Sequence, residues 1–307
     1  MSAISSAPSV VRSLREAAYT TYLFNQCDII STLCPVIAVG MVLAGVPNFK
    51  AFVQGFVWQQ LHLIAFEIQN QASITGLEED RISKPNRPLV TGRVTVATAQ
   101  NIYIALVIMS LWNSAEHGLL VCSIFHLVSM VAYNEAELAQ YWIFKSFIGA
   151  LGYVAYCWGV TVIYSNGSPL SHTSIIAVIM SGLIFTTTGH AQDFRDRDGD
   201  AAVGRKTLAL VLPQAFARWS LMLLMFAWTA GLVHFWGPPV AFSLAFFGVA
   251  ALTTIKFVLN HSQEADRDSY WWYNVCVLDY LTPYQKFSNA QIWLIAAHIM
   301  PLFKRLA

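Results

Sequence analysis

The sequence predicts an all-α, polytopic membrane protein, on the basis of its composition and the length of its apolar segments. Of 307 residues, 56% are hydrophobic and only 11% are charged, and the mean hydropathy is +0.52. A soluble domain has about 25% charged residues, so this chain has too few to cover a soluble surface. Backbone groups in lipid must bond internally, and segments of this length favour helices over the shorter, alternating strands of a barrel.

Nine apolar segments approach the roughly 20 residues that a helix needs to cross a bilayer. They are predicted near Tyr22–Gly45, Phe52–Asn70, Val96–Trp112, Gly118–Tyr133, Trp142–Tyr164, Ile175–Gly189, Phe216–Trp236, Val240–Leu259 and Ala290–Phe303. The chain is predicted to be a single transmembrane domain over residues 1–307, with a polar N-terminal segment at 1–19.

Charge and cysteine usage limit the function classes. The net charge of +1 argues against a nucleic-acid partner, and the five cysteines form no CxxC pair that would indicate zinc or a disulfide framework. Of 18 Lys and Arg residues, all but Lys50, Lys304 and Arg305 fall on one side of the predicted spans. The positive-inside rule therefore predicts a cytoplasmic N-terminus and two cytoplasmic polar loops, after the second and sixth spans.

The second polar loop is the most charged stretch of the chain. It runs from Gln192 to Asp200 and is followed by Gly-Arg-Lys-Thr at 204–207. In a helix, Asp193, Asp196 and Asp200 fall on one face, where three carboxylates repel each other unless a cation neutralises them. Oxygen-only ligands suit Mg²⁺, which completes its shell with water and substrate phosphates. The alternative is a solvated loop whose charges only orient the protein.

The first polar loop begins at the end of the second predicted span. Glu67, Asn70 and Gln71 lie on one helical face, either as an interhelical hydrogen-bond cluster or as oxygen ligands at a cavity mouth. Gly76 is predicted to break the helix. Carboxylates follow on Glu78, Glu79 and Asp80.

A proline-rich turn closes the first loop. Its sequence is Lys-Pro-Asn-Arg-Pro at 84–88. Because the residue before each proline is pushed out of helical geometry, we expect a stiff, extended turn that fixes Lys84 and Arg87. Arginine offers a planar fork to phosphate and lysine a point charge, so this turn is a candidate phosphate-binding element.

Together the two loops resemble those of the UbiA superfamily of intramembrane prenyltransferases. The family's second motif, Asp-x-x-Asp-x-x-x-Asp before Gly-x-Lys-Ser/Thr, is complete, and so is the Lys-Pro-x-Arg-Pro turn. The nine-span layout also matches, so the resemblance covers nearly the whole chain. It implies helices around a central apolar cavity with a cytoplasmic polar cap, a prenyl diphosphate substrate and Mg²⁺.

The first motif departs from the family pattern of Asn-Asp-x-x-Asp-x-x-x-Asp. Asn70 is kept, but Gln71 replaces the first aspartate. Counting back from the Arg-Pro of the turn gives Asp80 the last aspartate position, whereas counting forward from Asn70 gives it to Glu78. Either way the middle aspartate is missing. This form is similar to the fungal branch of the superfamily that includes membrane-bound terpene cyclases, and we expect location in the endoplasmic reticulum.

The resemblance implies a role for each matching residue. The catalytic residues are Asp80, Asp193 and Asp196. The metal ligands are Asn70, Gln71, Glu79, Asp80, Asp193, Asp196 and Asp200. The diphosphate-binding residues are Lys84, Arg87, Tyr133, Lys145, Arg205 and Lys206. For Tyr133 and Lys145, an interfacial tyrosine and a snorkelling lysine are an equal alternative.

Three functions remain open at this point. The altered first motif favours Mg²⁺-dependent ionisation and cyclisation of a prenyl diphosphate, with farnesyl diphosphate as the expected substrate. The alternative is transfer of the prenyl group to an aromatic or quinone-precursor acceptor. A transporter or receptor without catalysis is the third class, because charges at the membrane edge also mark ion pathways.

Two further regions have no motif to define them. Asp28, early in the first span, is predicted to face the cavity. Asp266, Asp268 and Tyr270 precede the last span, where a solvated loop is favoured over a lid. The chain is rich in aromatic residues, and rings that face a cavity would stabilise carbocations by about 0.5–2 kcal/mol each.

Overall fold

The computed structural model describes residues 7–273 and 293–306, and within these ranges all named secondary structure is helical. Besides the α-helices, there are a π-helical turn (Ile29–Leu33) and a 3₁₀ turn (Leu138–Gln140). The α-helices are α1 (Ala7–Asn25), α2 (Cys34–Ala44), α3 (Phe49–Ala72), α4 (Ile74–Ser83), α5 (Val96–Glu116), α6 (Leu120–Asn134), α7 (Trp142–Tyr164), α8 (His172–Thr188), α9 (Ala191–Arg195), α10 (Arg197–Ala202), α11 (Leu208–Val211), α12 (Gln214–Trp236), α13 (Val240–Leu259), α14 (Gln263–Tyr273), α15 (Trp293–Ile299) and α16 (Pro301–Leu306).

Five helices in the described residues are long and apolar enough to cross a membrane. They are α5, α7, α12, α13 and the segment His172–Arg195, which runs through α8 and α9. Shorter apolar helices occur at Ser31–Ala44 and Leu120–Asn134. An integral membrane protein is therefore supported, but the predicted count of nine spans is not confirmed.

The predicted spans that fall short do so for identifiable reasons. The first is divided, because α1 ends at Asn25 and the π-helical turn separates it from α2. The second, α3, is 24 residues long but carries glutamine, histidine and glutamate side chains that lower its apolarity. The last predicted span, near residues 290–303, lies partly outside the described residues, and its described part forms two short helices, α15 and α16.

α3 and α7 pack closely against each other, and both helices carry predicted site residues. Trp58 on α3 is completely buried, and its indole nitrogen donates to Ser114 Oγ on α5 at 2.8 Å. A Cβ atom at Gly159 of α7 would lie 2.2 Å from the Trp58 ring. Only glycine lets the indole lie directly on the α7 backbone, so this contact sets the distance between the helices.

The break between α3 and α4 lies at Ser73, three residues before the predicted one. Ser73 ends α3, and its hydroxyl accepts a hydrogen bond from Gly76 N at 3.0 Å, which caps α4. Gly76 therefore lies in the first turn of α4. Its role is steric, because a Cβ there would lie 2.0 Å from the carbonyl oxygen of Asn70.

The aspartate-rich stretch is helical, as predicted, but it forms two short helices rather than one. α9 and α10 meet at Asp196, whose backbone (φ −93°, ψ 5°) leaves helical geometry. The helical pitch survives, since Asp196 N donates to Gln192 O and Asp200 N donates to Asp196 O. All three predicted aspartates are buried.

The region before the last predicted span is a packed helix, so the expectation of a solvated loop is wrong there. Asp266 of α14 is fully buried, and its two carboxylate oxygens accept from Arg218 of α12 at 2.5 and 2.8 Å. Arg197 of α10 lies 3.3 Å from the same carboxylate. These contacts hold α14 against α12 and α10, beside the aspartate-rich stretch.

Candidate active site

A cavity opens among α3, α6, α7 and the two polar loops. Its empty volume, including the open mouth, is about 1050 Å³. One end is charged, and the other end is lined by apolar and aromatic side chains. The charged and polar lining residues include Asp28, Glu67, Asn70, Lys84, Arg87, Lys145, Gln192, Asp193 and Arg195, together with Ser31, Thr32, His126, Ser129 and Ser146. The apolar and aromatic ones include Leu63, Phe66, Met130, Tyr133, Ile148, Tyr153, Tyr156, Phe185 and Tyr270.

The two polar loops meet at Lys84. Its ammonium lies 3.2 Å from Glu79 Oε1, 3.7 Å from Asp80 Oδ1 and 4.0 Å from Asp196 Oδ2. The loops also approach each other where α10 crosses α4, since a Cβ at Gly199 would lie 2.9 Å from Glu79 Cγ. The predicted convergence of the two acidic loops beside one cavity is therefore present.

Lys145 of α7 holds the other side of the aspartate face. Its ammonium contacts Asp193 Oδ1 at 2.8 Å and Asp200 Oδ2 at 3.1 Å. Arg205 then joins Asp200, at 3.0 Å, to Glu79 of the first loop. Asp193 also accepts from the backbone nitrogen of Leu208 at 3.3 Å. The cations at the cavity mouth are thus fixed in place by carboxylates from both loops.

Arg87 lies in the proline-rich turn and links that turn to α3 and α4. Its guanidinium contacts Asp80 Oδ2 at 2.7 Å and Glu67 Oε2 at 3.2 Å. The turn is compact rather than extended, because Arg87 N donates to Lys84 O and Thr91 N donates to Arg87 O. Consecutive tight turns, not a stiff extended segment, therefore direct Lys84 and Arg87 towards the carboxylates.

The loop carboxylates titrate differently according to their partners. Burial acts to raise the pKa of Glu79, but Lys84 and Arg205 outweigh it and lower the pKa to about 2. Burial is likewise outweighed at Asp196, where Arg195 and Lys84 hold the pKa well below its usual range. Ionised Glu79 and Asp196 are the acceptors that keep these cations oriented.

For three other buried groups, the balance between burial and neighbouring charges differs. Burial raises the pKa of Asp80, although Arg87 and Lys84 oppose it. It also raises the pKa of Asp200, against the opposing effect of Lys145. Burial would lower the pKa of Lys84, but Asp196 and Glu79 hold it above its usual range. Lys84 therefore stays charged at the cavity mouth.

The predicted site residues fall into three groups. Six of them line the cavity: Asn70, Lys84, Arg87, Tyr133, Lys145 and Asp193. Five lie directly behind them in the ion-pair network: Glu79, Asp80, Asp196, Asp200 and Arg205. Because Glu78 is exposed while Asp80 is buried against Arg87, the count back from the Arg-Pro of the turn is the one that the fold follows.

Two predicted residues are not brought to the cavity. The amide nitrogen of Gln71 donates to Phe24 O at 2.7 Å and to Glu67 Oε2 at 3.1 Å, so this side chain points between helices. Lys206 is exposed, with its ammonium over the Tyr141 ring at 5.7 Å. Its backbone instead pairs with Gln140 and Trp142, which draws the side chain away from the carboxylates.

Several cavity residues were missed from the sequence. Arg195 lies at the mouth, with its guanidinium 4.2 Å from the centre of the Tyr270 ring and bonded to Asp196 at 2.7 and 2.8 Å. His126 and Tyr156 lie deeper. Helical spacing would have indicated His126, which is seven residues before Tyr133 and so lies on the same face of α6.

The chemistry of the donor atoms fits Mg²⁺ in part. Oxygen donors of Asp28, Glu67, Asn70 and Asp193 line the cavity, and a hard cation prefers such ligands. No three His, Cys, Asp or Glu side chains in the described part of the chain converge tightly enough to hold one ion by themselves. This agrees with the usual binding of Mg²⁺ through one or two carboxylates together with substrate phosphates.

The fold and the site together define an all-helical integral membrane protein in which a charged cluster closes an aromatic-lined cavity. Residues 33–275 match the UbiA prenyltransferase family, and the chain belongs to this family.

The chain is also similar to individual proteins of known activity or structure. It is 40% identical over 288 residues to fumagillin beta-trans-bergamotene synthase of Aspergillus fumigatus, covering 94% of this chain and 93% of that protein. It is 26% identical to somaliensene A/B synthase of Streptomyces somaliensis, covering 88% and 94%. The fold is similar to a solved UbiA homolog from Archaeoglobus fulgidus bound to GPP and Mg²⁺, with a TM-score of 0.56, 13% identity, and coverage of 95% and 97%.

Proposed function

We propose that this protein ionises a prenyl diphosphate in the presence of Mg²⁺ and cyclises the prenyl chain to a terpene hydrocarbon, with farnesyl diphosphate as the substrate. The observation that carries the proposal is the arrangement of Lys84, Arg87, Lys145 and Arg195 at the mouth of an aromatic-lined cavity. The similarity to a bergamotene synthase over nearly the whole chain supports cyclisation.

The cations at the mouth bind and orient the diphosphate. Arg87 offers a planar fork and Lys84 and Lys145 offer point charges to phosphate oxygens. Each is already positioned by a carboxylate, so little reorganisation is needed when negative charge develops on the leaving group. Mg²⁺, held by Asp193 with Asn70 and supported by the second-loop aspartates, would neutralise further charge on the leaving diphosphate. Asp80 and Asp196 act by fixing Arg87 and Arg195.

The deeper part of the cavity determines the fate of the allylic cation. Its walls exclude water, so the substrate's own double bonds can capture the cation before a hydroxyl does. Ring faces of Phe66, Tyr153, Tyr156 and Phe185 line this part and can stabilise positive charge along the chain. Cyclisation therefore needs no second substrate.

A second candidate is transfer of the prenyl group to an aromatic or quinone-precursor acceptor, which the name of the matched family favours. For either reaction we propose residence in the endoplasmic reticulum membrane, with both acidic loops facing the cytoplasm. This orientation rests on the distribution of Lys and Arg along the chain.

One incubation separates the candidates. Purified protein is given farnesyl diphosphate and Mg²⁺ without an acceptor, and both diphosphate and volatile hydrocarbons are measured. Cyclisation predicts that the two products appear together. Turnover that begins only after an aromatic acceptor is added would reject cyclisation in favour of transfer, and no diphosphate under either condition would reject both.

A further inference from the structure

His126 is a buried histidine in the cavity wall that the charged mouth does not use. It is only 2% exposed, and it lines the apolar part of the cavity beside Met130 and Tyr156. It lies seven residues from Tyr133 on α6, which places it about 10 Å deeper than the mouth at 1.5 Å per residue. That is the depth of the prenyl chain rather than of the diphosphate.

The hydrogen bonds of His126 leave one ring nitrogen available. Nε2 lies 3.3 Å from the Tyr156 hydroxyl, whereas Nδ1 is buried and has no hydrogen-bond partner in the structure. Buried polar atoms rarely lack a partner, so an orphaned one in a cavity wall suggests that a ligand faces it. When Nε2–H donates to the Tyr156 hydroxyl, Nδ1 is unprotonated and carries a free lone pair.

Gly152 lies next to that nitrogen and places no side chain against it. This residue of α7 also lines the cavity, and a Cβ there would lie 3.6 Å from His126 Nδ1. Among the described residues, the ring contacts of His126 are with Tyr156 and His62, and neither is a carboxylate. The ring is therefore a candidate base in the cavity wall.

From this geometry we infer that His126 Nδ1 accepts the proton that ends the cyclisation, with Tyr156 as a positioning residue. The inference rests on the proposed function. A C–H bond next to the cationic carbon breaks, its electron pair becomes the new C=C bond, and the proton binds Nδ1. The product is a neutral hydrocarbon and an imidazolium, which returns its proton to water when the cavity opens.

Neighbouring His62 provides a matched control. It is equally buried, its ring centre lies 5.5 Å from that of His126, and it does not line the cavity. Both of its nitrogens are satisfied, by Trp58 O at 2.7 Å and Ser123 Oγ at 2.8 Å. A change at His62 perturbs packing at the same depth without removing the free base.

The experiment compares His126→Phe, His126→Gln and His62→Gln with the natural chain, using farnesyl diphosphate and Mg²⁺. Diphosphate release and the full product distribution are both measured. We expect the His126 changes to lower the share of the main hydrocarbon at least about tenfold, with alcohols or other olefins replacing it, because a positioned base contributes 10²–10⁴-fold. Diphosphate release should stay near that of the natural chain, and His62→Gln should keep the distribution.

Two results would overturn the inference: an unchanged product distribution, or a parallel fall of diphosphate and all products that indicates only a structural role. If neither His126 variant folds, Tyr156→Phe is measured instead. It keeps the imidazole but removes the hydroxyl that positions it, and the product distribution and diphosphate release are judged by the same criteria. Failure of the proposed function looks different, because the natural chain would then release no diphosphate.

Discussion

Lys145 and Lys206 were both predicted to bind diphosphate, yet they lie in different environments. Lys145 is buried between Asp193 and Asp200 at the cavity mouth, whereas Lys206 is exposed over the Tyr141 ring. A buried cation that faces developing charge contributes far more than an exposed one. The two residues therefore form a matched pair for testing which part of the second motif acts on substrate.

Replacing Lys145 by methionine should lower the rate of diphosphate release by about 10²–10³-fold, comparable to loss of one oxyanion donor. Lys206→Met should leave the rate unchanged. Both rates are measured on detergent-purified protein, with Lys145→Arg as a check that charge rather than packing is responsible. Equal losses in the two methionine variants would show that Lys206 reaches the substrate after all.

Glu79 should make the stability of the folded protein depend on pH in the acidic range. Its folded pKa is about 2, below the ordinary value of 4.5, so its contribution is complete above about 4.5 and is lost as the pH falls towards 2. Glu79→Gln should therefore lower the Tm near neutral pH, and the difference from the natural chain should shrink as the pH falls from about 4.5 to about 2. Thermal unfolding at several pH values measures this.

The neighbouring Glu78 is exposed and has no ion pair among the described contacts, so Glu78→Gln should leave the Tm unchanged at every pH. A difference for Glu79→Gln that stays constant down to about pH 2 would contradict the assignment of this carboxylate to Lys84 and Arg205.

At the scale of elements, α14 acts as a structural support for the mouth of the cavity. It places Tyr270 in the cavity wall against Arg195, and the buried pair of Arg218 and Asp266 anchors it. Removing one partner of a buried pair leaves an uncompensated charge and typically costs about 3–5 kcal/mol. The helix should therefore depend strongly on one carboxylate.

Asp266→Asn should loosen α14 and speed hydrogen exchange across residues 263–273, because Arg218 loses its anionic partner. Asp268→Asn, an exposed change two residues away on the same helix, should not. Hydrogen exchange followed by mass spectrometry reads both variants. Indistinguishable exchange in α14 would mean that apolar packing, rather than this ion pair, holds the helix.

At the scale of the whole molecule, composition and motif spacing predicted the membrane class, the helical fold and the convergence of the two loops. These predictions were possible because hydrophobicity and charge can be read directly from the sequence. The span count was not confirmed, because polar side chains of α3 face neighbouring helices and the first span is divided near Asp28.

The sequence failed where function depends on the direction of a side chain. Gln71 and Lys206 occupy motif positions, yet neither side chain reaches the cavity. The Gln71 amide donates to Phe24 O, and the Lys206 backbone pairs with Gln140 and Trp142. His126 and Tyr156 carry no motif, and although helical spacing relates His126 to Tyr133, only the fold shows that these residues line a cavity. Such choices are set by tertiary packing, which spacing along one chain does not encode.

The central claim is that two acidic loops jointly hold the cations and metal that bind one diphosphate. Binding of farnesyl thiodiphosphate, a slowly ionising analogue, tests it most directly by titration calorimetry with and without Mg²⁺. The matched variants are Asp80→Asn in the first loop and Asp196→Asn in the second, with the exposed Glu78→Gln and Asp198→Asn as controls.

Binding should require Mg²⁺ and should weaken at least about tenfold in each loop variant, since a hydrogen bond to a charged group is worth about 1.5–3 kcal/mol. Both controls should bind like the natural chain. Affinity that persists without Mg²⁺, or that responds to one loop only, would contradict the account.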